Sequence, residues 1–134
     1  CALPISEAGY RKLFDLGEFY PDAGAALFIA RKDWLVKNAD AARGFARAMK
    51  NATGWLYDPA NRKAAVEIVA KDTKIDLAIA EKIYDYMVLS LKPYPVDARI
   101  APVGMQKIIE LMIQIGDLKP GPKPEDHIDP TYYP

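Results

Sequence analysis

Few side chains in this sequence are of a type and spacing that could do chemistry. One Cys and one His leave no protein-only ligand set for a structural zinc, and no intramolecular disulfide is possible. His127 stands in a proline-rich stretch beside Glu125, Asp126 and Asp129, where an isolated imidazole reads as solvated rather than as a metal ligand or general base. Carboxylates pair at Asp72 with Asp76 and, at helical spacing, at Glu81 with Asp85. On amphipathic helices such pairs are ordinary wet faces, and Glu81 has basic neighbours such as Lys82 to pair with. No Ser lies in a GxSxG setting, and no glycine-rich phosphate loop follows the apolar run Ala25 to Ala30. The expectation is therefore no catalytic residue, no metal and no cofactor. The eight tyrosines could wall a pocket, but Tyr84 fits a core stripe, and Tyr132 and Tyr133 are suited to pin the tail to a helix surface.

The elements that must position these groups belong to one ordinary domain by length, 134 residues. Apolar residues at 51% and charged residues at 27% are close to globular averages, so the chain should fold. Eighteen basic residues balance eighteen acidic ones, and without a net field nucleic acid is a poor partner. The longest greasy stretch, Ile108 to Ile115, is broken by Glu110 and Gln114, which argues against a membrane helix. The opening has neither an initiator Met nor a signal segment, which suggests a processed protein or a piece of a longer one. Cys1 could carry the lipid of a mature bacterial lipoprotein; Ala2, Leu3, Pro4 and Ile5 read more like interior chain than tether, which favours a domain boundary.

Tyr10 to Leu16, closed by Gly17, reads as a short strand, and Ala25 to Ala30 as a buried one. Helical texture follows. Asn38 is placed to cap a helix whose inward stripe is Ala42, Phe45, Met49, Ala52 and Leu56. Asp58 and Pro59 start a second helix, with Ala65, Ile68 and Val69 inward. A third begins at Asp76, carries Ala80, Ile83, Tyr84 and Met87, and stops before Lys92 and Pro93. A fourth runs from Pro102, with Met105, Ile108, Ile109, Met112 and Ile115 inward, to Gly116. The uneven helix starts show no repeat period. Five prolines after Asp117 predict an extended tail.

The run AGYRKLFDLGEFYP, then ALFIARKDWL, then KNADAARGFARAMKNATGWLYDPANRKAAVEIVAK, together with the ending HIDPTYYP, resembles periplasmic substrate-binding proteins of ABC importers. The likeness is to the nitrate, sulfonate and taurine group, which is related to proteins handling the thiamine pyrimidine precursor. It spans about Ala8 to the end, less than half of such a protein. Ala39 departs from the Pro that often follows the capping Asn, a change compatible with the first helical position. The resemblance implies two α/β lobes with ligand bound in the cleft between them. For this chain it implies a mainly α fold with a minor β component, part of an α/β type 2 periplasmic-binding-protein-like fold. Residues 1–24 would be a remnant of the second lobe and the interlobe crossing, 25–116 a strand plus helices of the first lobe, and 117–134 the Pro-rich tail. The positions adjoining the crossing, Ser6, Glu7, Tyr20 and Pro21, become the ligand-binding candidates.

The function so implied is capture of a small anionic or heteroaromatic solute, outside the inner membrane or lipid-anchored there, for delivery to ABC permease subunits. Two alternatives make other demands. A pyrimidine-precursor-synthesis enzyme of the same fold would need His-centred chemistry, and a helical protein-interaction module would need an exposed apolar groove. The isolated chain is expected to bind such solutes weakly or not at all. It is also expected to self-associate as a homodimer through the unpaired edge of Ala25 to Ala30.

Overall fold

Caps and breakers set the element order of the computed structural model, which describes residues 9–14, 16–19 and 27–133. Helix α1 spans Leu16–Phe19, α2 Lys32–Lys37, α3 Ala39–Tyr57, α4 Arg62–Thr73, α5 Leu77–Tyr84 and α6 Pro102–Gln114. A 3-10 turn at Pro59–Asn61 leads into α4, a π-helix at Asp85–Leu91 prolongs α5, and two further 3-10 turns lie at Pro124–Asp126 and Pro130–Tyr132. The chain divides into two compact units, one made of the residues up to Phe14 with Asn51–Tyr94, the other of Asp15–Lys50 with Pro95–Pro134. No helix among the described residues is long and apolar enough to cross a membrane.

Asp58 and Pro59 act as their types demand: the Asp58 carboxylate accepts the Ala60 N–H at 2.9 Å, and Pro59 occupies the first helical position. Asn38 stands immediately before α3 as expected, but its side chain serves the helix behind it. Its side-chain amide donates to the Trp34 carbonyl at 2.9 Å and so closes α2, while its own carbonyl accepts the Ala42 N–H and opens α3. At the end of α6, Gly116 adopts φ 86 and the Asp117 N–H returns to the Met112 carbonyl at 2.9 Å, the left-handed exit that glycine permits. Helix α4 ends with the same left-handed geometry on a lysine, Lys74 at φ 55.

The first unit is built on Ala65 and Val66 of α4, Ala80 and Tyr84 of α5, and Val88 of the π-helix, with Leu56, Tyr57, Val69, Ala70 and Ile75 packed around them. Tyr84 is 1% exposed, and its hydroxyl donates to the Leu56 carbonyl at 2.7 Å. Tyr57 makes a reciprocal clamp, donating to the Tyr94 carbonyl at 2.9 Å and accepting the Tyr94 N–H at 3.0 Å. In the second unit Gly104, Met105 and Ile109 of α6 are buried. The turn at Pro124–Asp126, with Pro124 buried, packs on that helix.

The expected minor β component, and with it a partial α/β periplasmic-binding-protein-like fold, is overturned. About two thirds of the described residues are helical, and none of them is in a strand. A single strand leaves its N–H and C=O groups unpaired, so it does not form without a neighbour. Residues 10–14 and 27–30 are irregular, and Leu16 begins α1. Asp15, Ala25 and Ala26 lie outside the described residues. The tail is likewise less extended than its prolines suggest. Asp126 accepts the Lys123 N–H at 2.8 Å, and Asp129 accepts the Thr131 N–H at 3.0 Å, each shaping a 3-10 turn that tolerates proline at its start.

The inward stripe of α3 is also shifted from expectation. Ala42, Ala46, Met49, Thr53 and Leu56 are the more covered residues, whereas Phe45 is 49% exposed and Ala52 is exposed. On α4 Val66 takes the buried place expected of Ile68, and on α6 Met112 and Ile115 are exposed while Ile108 is only half-buried. In chemical denaturation, Ile109→Ala should cost about 2–5 kcal/mol and Phe45→Ala no more than about 1 kcal/mol. Tyr84→Phe should cost about 1 kcal/mol, because a half-buried helix-end carbonyl loses its donor. Lys74→Gly should gain about 0.5–1 kcal/mol by relieving the left-handed backbone.

Candidate functional site

A group of ionisable side chains in the first unit lies where α4 begins and α5 ends. Starting α4 with Arg62 sets a guanidinium beside the end of α5. Its Nε and Nη2 donate to Asp85 at 3.0–3.1 Å. Nη1 lies 3.7 Å from Glu81, and the guanidinium covers the Tyr84 ring at 5.8 Å. The hydrogen bonds it donates to Asp85 push the Arg62 pKa further up. Beside this group is an open depression of about 310 Å³ lined by Arg62, Lys63, Val66, Glu67, Leu77 and Glu81. Two cations and two carboxylates line it, with Lys63 and Glu67 4.0 Å apart. With Arg62 engaged by two carboxylates, the group fastens α4 to α5 and offers no cationic cradle to an anion.

Tail and helix meet in the second unit. The Tyr132 ring lies 5.9 Å from the Arg43 guanidinium of α3. The Tyr133 ring lies 5.5 Å from that of Arg99, and the Tyr133 hydroxyl accepts the Ile100 N–H at 3.3 Å. Asp129 holds the turn between them; the Thr131 hydroxyl and N–H, with the positive field of Lys32, keep its carboxyl below the ordinary value.

Ser6, Glu7, Tyr20 and Pro21, the ligand-binding candidates, lie outside the described residues. His127 is exposed between the two tail turns. Glu81 and Asp85 share one partner, Arg62, rather than forming an acid–base couple. Among the described residues no group of three or more His, Cys, Asp or Glu is placed to hold a metal ion. Tyr84 lies in the core, and both terminal tyrosines are fastened, Tyr132 at a helix and Tyr133 at the connector before α6.

Arg62 was not singled out by sequence, although an Arg at a helix start with acidic residues a turn apart on a following helix is a usable signal. The pairing of Arg43 with Tyr132 carries no local signal at all. No protein-family model matches the chain, and no curated protein and no solved structure matches it.

The sign of the Asp129 shift makes tail docking pH-dependent. Its carboxylate form is favoured in the fold, so its contribution is complete above the unfolded value of about 4 and is lost as pH falls through the lower folded value. Tyr132 and Tyr133 ring resonances should hold their positions down to about pH 4 and move only below it. Asp129→Asn should abolish that acid transition.

Proposed function

We propose that this chain is the C-terminal portion of the solute-binding component of an ABC-type importer. It serves capture rather than turnover, taking up a small anionic or heteroaromatic solute outside the inner membrane and handing it to permease subunits. The observation supporting the reading is the docking of residues 129–133: Asp129 shapes the turn, and Tyr132 and Tyr133 seat on Arg43 and on Arg99 with Ile100. The ending and the helix that follows Asn38 are two of the segments that carry the resemblance, and the contact of Tyr132 with Arg43 joins them. The enzyme alternative lacks support, since the sequence's one His is exposed and far in sequence from the candidate ligand positions. The interaction-module alternative gains support from Leu27, Phe28 and Ile29, which leave apolar surface open.

The test is a thermal-shift panel of nitrate, taurine, an alkanesulfonate and an aminopyrimidine, run on the whole polypeptide that contains this sequence. A bound solute at a hundred times its Kd adds about 2.7 kcal/mol of stability and should raise Tm by several degrees. Tyr20→Ala should reduce the shift, and this chain alone should show little, because a solute site owes its affinity to polar groups converging from all round it and this chain supplies only part of them. A panel without any shift would count against solute capture.

A further inference from the structure

Leu27, Phe28, Ile29 and Ala30 form an apolar run without regular structure. Among the described residues their backbone N–H and C=O groups take part in none of the turn or cap hydrogen bonds; these begin with the Arg31 carbonyl, which accepts the Leu35 N–H at 3.0 Å. The run is held in place from one side. The Phe28 ring meets Phe45 of α3 edge-on, with centroids 4.8 Å apart and planes at 78°. The other side is open: Ile29 is 93% exposed and Phe28 68%. At the end of the run Arg31 and Asp33 already neutralise one another at 3.0 Å, so a partner need not supply a counter-charge.

The geometry points to a second copy of this chain as the occupant, its Leu27–Ala30 segment pairing antiparallel with this one across a two-fold axis, Ile29 nearest the axis. Four arguments favour a copy over another partner. An antiparallel pair satisfies the free backbone groups of both segments at once. A two-fold contact needs a self-complementary surface, and an uncharged apolar run meets that condition. The formal charge of zero sets no long-range repulsion between copies. Finally, Leu27, Phe28, Ile29 and Phe45 are 39%, 68%, 93% and 49% exposed, and two such patches fully covered would remove about 1,000 Å², the size of a weak, transient interface. The contact is thus a modest one.

Sedimentation velocity from about 1 to 200 µM reads it directly, with dimer expected at the upper end. Ile29→Lys should weaken association at least about tenfold with an unchanged far-UV spectrum, since Ile29 is almost wholly exposed. Ile68→Lys, at a 51% exposed position on α4, should leave association as it was. Ile29→Cys in a Cys1→Ser background should give a covalent dimer under mild oxidation. A monomer throughout the range overturns the inference. So does a dimer that survives Ile29→Lys, one equally lost to Ile68→Lys, or one that the Ile29 cysteine fails to trap. None of these outcomes bears on solute capture, and a failed solute panel leaves the dimer standing.

Discussion

The hydrogen bond from the buried Tyr84 hydroxyl to the Leu56 carbonyl is the constraint on which the first unit depends. Leu56 lies in the last turn of α3, where carbonyls have no partner further along the helix. Filling that vacancy with a phenol lets a large aromatic side chain be buried without stranding its oxygen. The ring can then pack among Ala65, Val66, Ala80 and Val88, whose small volumes let α4 and α5 approach closely. Arg62 covers the ring and draws in Asp85 and Glu81. The ionic group on the surface thus reports the position of a residue beneath it, and its chemistry is structural.

Helix boundaries were the legible part of the sequence, because their signals are local. Asp58 with Pro59, Asp76, Pro102 and Gly116 all stand where the caps lie. Helix phase was less legible on α3, which carries Phe45, Ala48, Ala52 and Trp55 on one face and Ala42, Ala46, Met49 and Leu56 on another. Periodicity finds both faces and cannot rank them. The strands were misread for a related reason. AALFIA has the composition of a buried strand, but a strand is a property of two segments, and among the described residues the second is missing.

The candidate site was less legible than the fold. Ser6, Glu7, Tyr20 and Pro21 came from resemblance and lie outside the described residues. The cation–aromatic contacts that do organise the second unit, Arg43 with Tyr132 and Arg99 with Tyr133, join residues far apart in sequence. A local pattern identified the tyrosines as fasteners but could not say what they fasten to. The Arg62 group failed differently: Glu81, Tyr84 and Asp85 were noted and Arg62 was not, because their proximity depends on how α4 and α5 pack.

The reciprocal bond between Tyr57 and Tyr94 ties together two points 37 residues apart in the chain. Everything between them, α4, α5 and the π-helix, is an excursion that leaves and returns at one place. Such a knot behaves like the neck of a pouch. Its exposed turns can be lengthened or trimmed while the two ends stay together, so variation should concentrate on the outer surface of the excursion and spare both the core it encloses and the two residues that draw it closed.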